Sequence, residues 1–452
     1  MTDSTLHQRI PHSQSNPPII HLSRSSSSSS LSNQDTLSSF TPPDFTIKEL
    51  LAAIPSHCFE RSAIKSFSYL IWDLFLSSVL IYAASFIDTK FGGSGSIING
   101  HLGRLVSLAA WSLYAYSIGL VWTGIWVLAH ECGHQSFSTS KTLNNTVGWF
   151  LHSALLVPYH SWRITHSQHH AATGHMSRDQ VFVPKTRTQR GVKPLPENAT
   201  KRERDGALDQ SLYEKMDDLL EDAPIYALIN LTIQQLVGWP AYILMNASGQ
   251  ARYPSWTNHF NPQSIMFDKR HRSQVLLSDL GIGIMFTILF LFGLRTSFLN
   301  VVKYYVVPYF WVNHWLVLIT YLQHTDPNLP HYREGAFNFQ RGALCTIDRK
   351  IHGFFFHGIA ETHVAHHLCS KIPHYNAWDA TEALKKKLGD HYMSTDENFW
   401  YSLWKSYTQC RFVEDEGDVV FYKNAKGKAM RRVVISDKKD QLSDSGVDVG
   451  EK

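Results

Sequence analysis

The chain has 452 residues, a net charge of +4 at pH 7 and 44% apolar residues, and its apolar residues gather into a few runs rather than spreading at an amphipathic period. So small a charge, with no basic block interleaved with aromatics, gives no nucleic-acid surface. The cysteines, Cys58, Cys132, Cys345, Cys369 and Cys410, are odd in number and form no C-x-x-C pair, which argues against a disulfide framework and for a reducing side.

Residues 1–45 are polar and low in complexity, with a serine run from Ser25 to Ser30 and no apolar core of a signal peptide, so a disordered Ser-rich tail is predicted. The apolar runs Phe67 to Ile87 and Leu105 to Ala129 follow, each near or above the ~20 residues that cross a bilayer. Directly after the second stands the first histidine box, His130-Glu131-Cys132-Gly133-His134. A short apolar stretch, Thr146 to Tyr159, leads to the second box, His166-Ser167-Gln168-His169-His170. The stretch Ala223 to Met245 carries Asn230, Gln234 and Gln235, and both stretches read as helices lying in the membrane interface or re-entering it. Two further span candidates are Val275 to Leu294 and Val301 to Leu322, with His324 just beyond the last and the third box, His363-Val364-Ala365-His366-His367, after it. Asp73 and Asp279 fall inside spans, where a charge is costly, and are expected to face the bundle or an interface. Residues 411–452 read as a charged, peripheral tail, leaving 46–410 as the membrane domain.

The expected fold is therefore an all-α membrane protein with four transmembrane helices, interfacial helices and a helical cap that holds a histidine-rich di-metal site. Two crossings separate boxes two and three, so all three boxes share one face; a fifth span at 223–245 would put box three on the opposite one. Lys201, Arg202, Arg204, Lys269, Arg270 and Arg272 lie on the boxes' side, against two cations between Asp88 and Arg104, which favours the cytosol.

With 25 histidines in the chain, H-x-x-H-H should arise by chance roughly 0.08 times, yet it occurs twice. On a helix, residues three and four apart share a face, so each box offers two or three imidazoles to one region. Eight imidazoles exceed the needs of one ion, and imidazole suits Zn, Cu, Fe and Ni alike. Glu131 and Cys132 recur in neither other box, so neither is expected to bridge metals. Two irons among neutral nitrogens beside a membrane suit oxygen activation and attack on a C–H bond. Two other classes stay open. His130 to His134 fits the H-E-x-x-H of zinc proteases, which leaves boxes two and three without a task, and a non-catalytic metal carrier could gather eight histidines on one face. His324 is a ninth ligand candidate, whereas His160, His175, His314, His331, His357 and His374 are expected in supporting or surface positions.

These boxes occur together with Arg178-Asp179-Gln180-Val181-Phe182-Val183-Pro184-Lys185, with Thr320-Tyr321-Leu322-Gln323-His324-Thr325-Asp326-Pro327, with Leu329-Pro330-His331-Tyr332 and with Arg341-Gly342-Ala343-Leu344. In that order they resemble the membrane-bound acyl-lipid fatty acid desaturases, most closely the fungal oleate delta-12 type, over roughly residues 45–410. The resemblance implies an endoplasmic-reticulum enzyme that converts oleoyl chains on phospholipid to linoleoyl chains with two irons and molecular oxygen. It also implies electrons from NADH through cytochrome b5 reductase and cytochrome b5. The family's ligands fall on His130, His134, His166, His169, His170, His363, His366 and His367, with His324 added. No G-x-G-x-x-G opens a helix after a strand, and the family's fused His-Pro-Gly-Gly haem motif is missing, so the electron donor is expected to be a separate protein. Glu131 resembles the delta-12 pattern, while omega-3 desaturases, hydroxylases and epoxygenases share the same boxes.

Overall fold

The computed structural model of the chain describes residues 37–91, 95–192 and 224–434. Of the tail expected to be disordered over 1–45, residues 1–36 lie outside the described residues, as do the cations Lys201, Arg202 and Arg204 and residues 435–452, whereas Ser38–Phe40 is ordered as a strand.

A short helix α1 (Ile47–Ala53) begins at a reciprocal cap between Thr46 and Glu49. Helix α2 (Ala63–Ala84) starts where the Ser62 hydroxyl accepts from the Lys65 amide, and runs on through α3 (Ile87–Lys90) toward α4 (Gly100–Gly133). Among the described residues, three helical stretches are long and apolar enough to cross a membrane: Ala63–Lys90, Gly100–Gly133 and Lys269–Arg295. They coincide with three of the four expected spans. Their outer faces expose Ile71, Leu105, Leu108, Phe286 and Leu294, a surface suited to lipid and costly in water. Helix α4 is longer than a bilayer needs: 34 residues reach roughly 51 Å, against a hydrocarbon core of about 30 Å. That surplus leaves the first histidine box, at the C-terminal end of α4, room to stand beyond a span of bilayer length.

Helices α5 (Lys141–Ala154) and α6 (Tyr159–Ala172) pack against α4 and against α8 (Arg272–Arg295). Between α6 and α8 in sequence, α7 (Pro224–Met245), expected as an interfacial or re-entrant helix, lies along the helix Val307–His324 and turns Ile225, Leu228, Ile229 and Ile233 outward. The run expected as the fourth span is helical but interrupted: α9 (Phe298–Val301), a π turn at Val302–Val306, then α10 (Val307–His324). Buried Asn313, His314 and Gln323 make α10 less apolar than the other three stretches. It packs closely on α4, where a Cβ at Gly119 would meet the Trp311 Cβ at 2.4 Å. Asp73 of α2 faces the bundle as expected, paired with His357 at 2.8 Å.

The cap is built from α11 (Phe339–Ala343), α12 (His363–Leu368), α13 (His374–Leu388) and α14 (Phe399–Gln409). Leu50, Ile54, Leu344, Val364, Leu368 and Leu384 give it a core of its own, joining α1 to α12 and α13. Buried Arg349 ties the cap to the end of α10: it donates to the Leu322 carbonyl at 2.9 Å, to Ser402 Oγ at 2.7 Å and to the Asp326 carboxylate. The fold is mostly helical rather than all-α, because three small sheets lock the cap. Strand β1 (Ser38–Phe40) pairs in parallel with β6 (Arg431–Val433), β2 (Pro330–Tyr332) antiparallel with β5 (Val419–Phe421), and β3 (Asp348–Arg349) in parallel with β4 (Ser394–Thr395). Residues 411–434, expected to begin a peripheral tail, are thereby folded onto the body, with Glu414 bonded to buried Arg187 at 2.7 Å. Strands of two or three residues carry no readable period, and their partners lie far away in sequence.

Candidate metal centre

Four helices deliver the histidines to one place. His130 and His134 stand one turn apart at the end of α4, and His166, His169 and His170 occupy the last turns of α6. His324 closes α10, and His363, His366 and His367 lie on the short α12. The nine sort into two neighbouring groups. His130, His134, His166, His170 and His366 bring one nitrogen each to within 4.8 Å of one another, and His169, His324 and His367 do the same. His363 joins the second group, its Nε2 lying 3.2 Å from that of His324 and 3.0 Å from that of His367. The groups touch through His170 and His367, stacked with ring centroids 4.1 Å apart.

The donor set fits metal ions. Metal–imidazole bonds of about 2.0–2.1 Å at angles between roughly 90° and 109° place neighbouring nitrogens about 2.8–3.4 Å apart. In the first group Nε2 of His130 lies 3.0 Å from that of His166 and 3.2 Å from that of His134, and His166 lies 3.2 Å from His170. Burial, reinforced by the neighbouring imidazoles, pushes His166, His170, His363 and His367 well below the usual histidine range. His134 and His366 fall to about 3 for the same reasons. Neutral rings turning lone pairs toward one another repel, and a cation between them relieves that repulsion. Tryptophans exclude water around them: Trp126 stacks on His130 and Trp162 on His166, with centroids 5.6 and 4.4 Å apart.

Residues that the sequence did not assign set two of the rings. Asp179 Oδ1 accepts from His169 Nδ1 at 2.6 Å and from the Val181 amide at 3.0 Å, while its Oδ2 accepts from the Gly174 amide at 2.9 Å. A carboxylate on the far nitrogen fixes the tautomer and leaves Nε2 as the free base. Thr173 donates its hydroxyl proton to the His169 carbonyl at 2.7 Å, so its oxygen accepts from His367 Nδ1 at 3.1 Å, with the same result. The only signal was a carboxylate soon after box two, inside the quoted Arg178-Asp179 motif. Glu131 is turned elsewhere, accepting from the His374 amide at 2.9 Å, and it belongs to neither group. A zinc protease needs that carboxylate free to take a proton from metal-bound water. The remaining candidates stand apart: His175 bonds Glu334 at 3.0 Å, His357 bonds Asp73, His314 stacks on Trp400, and buried His160 and His331 enter neither group.

A cavity of about 880 Å³ runs beside both groups, within the roughly 300–1,000 Å³ of small-molecule sites. His130, His166, His169, His324 and His363 form part of its wall. Its apolar part lies between α4, α7 and α10, where Val127, Trp239, Tyr242, Leu316 and Val317 line it. Helix α7 is thus one wall of the cavity.

A mostly helical protein with stretches long and apolar enough to cross a membrane, two histidine clusters able to hold metals and a largely apolar cavity against them has the build of a membrane metalloprotein with a small-molecule site. The family model described as Fatty acid desaturase matches residues 107–399. Delta(12) fatty acid desaturases of Mortierella alpina and Mortierella isabellina are each 54% identical over 384 residues, covering 84% of this chain and 91% of theirs. An oleate hydroxylase of Claviceps purpurea is 42% identical over 415 residues, covering 85% of this chain and 82% of its own. The chain belongs to the fatty acid desaturase family and is an oxidoreductase.

Proposed function

We propose that the protein is an acyl-lipid delta-12 desaturase, which converts oleoyl chains on phospholipid to linoleoyl chains in the endoplasmic reticulum membrane. The observation that carries the reading is the contact of two histidine groups with one largely apolar cavity. His130, His134, His166, His170 and His366 would hold one iron, and His169, His324, His363 and His367 the other. When bound, the irons supply activation of molecular oxygen, reduced with two external electrons as two hydrogens leave adjacent methylenes. The chain's own residues do the rest. Asp179 and Thr173 hold His169 and His367 in the tautomer that ligates. Trp126 and Trp162 keep water from the rings, and the walls from α4, α7 and α10 fix which methylene pair lies beside them.

The run 298–324 serves as the fourth span. Lys65, Lys269, Arg270 and Arg272 stand at the span ends nearest the histidines, which supports a cytosolic active site. Cytochrome b5, reduced by NADH-cytochrome b5 reductase, delivers the electrons there. Support for the delta-12 position comes from the Mortierella relatives. Oleate hydroxylation is the second reading, because the Claviceps relative shares the chain over most of its length. Expression in a yeast that makes no polyunsaturated fat, with double bonds located by mass spectrometry, tests both. New 18:2 with bonds at positions 9 and 12 is expected. An 18:3 product made only from supplied linoleate would make the enzyme an omega-3 desaturase, and a hydroxylated chain would make it a hydroxylase.

A further inference from the structure

The cavity beside the histidines is chemically lopsided. Among the described residues its wall includes four cations, Lys185, Arg190, Arg252 and Arg411, and no Asp or Glu. The cations are absent from the helices that carry the histidines and stand on three adjoining segments. The Val183 amide donates to the Ser248 carbonyl at 3.2 Å, the Val413 amide to the Lys185 carbonyl at 3.0 Å, and Arg190 Nε to the Arg411 carbonyl at 3.0 Å. Lys185, Arg190 and Arg252 are exposed, whereas Thr123, Trp126 and Val127 at the other end are buried. One cavity thus has a positive, solvent-facing rim and an apolar interior that passes the metal groups.

An uncharged ester gains nothing from such a rim, whereas a phosphate meets several cationic donors there and, among the described wall residues, no carboxylate. We infer that Lys185 and Arg252, with Arg190 and Arg411 beside them, bind the phosphate of the acyl donor while its chain runs inward past the histidines. The inference rests on the desaturase reading and adds to it the residues by which the carrier is recognised, through its phosphate. A phospholipid headgroup and a coenzyme A thioester share that chemistry. Arg190 and Arg411 also bond main-chain carbonyls that hold the rim together, so Lys185 and Arg252 are the residues to vary.

The test is equilibrium binding to the purified full-length protein in detergent, which needs no turnover. The probes are oleoyl lysophosphatidylcholine, oleoyl-coenzyme A and monooleoylglycerol. The wild type is expected to bind a phosphate-bearing probe at least about tenfold more tightly than the glyceride, as two charge-assisted contacts allow. K185Q/R252Q should remove most of that gap, and K185R/R252K, which keeps both charges, should retain it. The tighter of the two phosphate probes identifies the carrier. Equal binding of all three probes by the wild type, or an undiminished gap in K185Q/R252Q, overturns the inference. Failure of the yeast to form new product would instead strike the desaturase reading and leave this comparison intact.

Discussion

Asp179→Asn isolates what the carboxylate behind His169 contributes. The aspartate accepts three hydrogen bonds, from His169 Nδ1 and the Val181 amide on Oδ1 and from the Gly174 amide on Oδ2. Asparagine has the same shape but only one accepting oxygen. With that oxygen toward His169 and Val181, its NH2 opposes the Gly174 N–H; flipped, it opposes two donors. In either orientation His169 loses a charged acceptor, and a hydrogen bond to a charged group contributes about 1.5–3 kcal/mol. That corresponds to roughly 10–100-fold in metal affinity, the range expected for a partner behind a metal ligand. Because His169 belongs to the second group only, one of the two ions should weaken and the other should not. Anaerobic titration of metal-stripped protein with Fe(II) should therefore resolve two nearly equal steps in the wild type and one displaced step in D179N, with desaturation falling in parallel. Two unshifted steps, or wild-type product yield, would refute the role assigned to Asp179.

Other perturbations give equally direct outcomes. His366→Ala or His367→Ala should abolish product formation while leaving membrane insertion intact, and retained desaturation in either would sink the ligand assignment. Arg349→Met strands buried Asp326 without its partner, so a loss of about 3–5 kcal/mol is expected in detergent unfolding; an unchanged midpoint would contradict the structural role. Burial lowers His259 and His331 to about 4, so both are neutral when folded and charged when unfolded below about pH 6.5. Their contribution is complete above that pH and is lost as pH falls toward 4, at about 1.4 kcal/mol per unit for each, so stability that stays flat from pH 7 to 4 would contradict it. Gly119→Leu should separate α4 from α10 and lower folded yield, which a fluorescence-detected sizing profile would reveal; a wild-type profile would contradict the close packing.

The histidine groups were more legible in the sequence than their surroundings. Nine histidines were legible because helical spacing converts a short motif into a face, and because a box at a span end can only meet others on the same side. Three spans were legible from length and apolarity. Asp179 and Thr173 were not, since each is a single polar residue: Asp179 finds its task when the loop after α6 folds back on His169, and Thr173 when α12 brings His367 against it. The walls of the cavity were hidden for a similar reason: Trp239 and Tyr242 become cavity wall only when α10 packs beside α7. Lys185 and Arg252, 67 positions apart, are brought together by bonds between their segments, main-chain from Val183 to Ser248 and side-chain from Tyr253 to Gln180. Strand β5 escaped because its three residues pair with β2, far upstream in the chain.

The central claim is that the two histidine groups each hold an iron. Metal analysis of protein purified from iron-replete cells tests it most directly. The account predicts two irons per chain and no stoichiometric zinc; one zinc per chain with no iron would contradict it and return the zinc protease reading of His130 to His134.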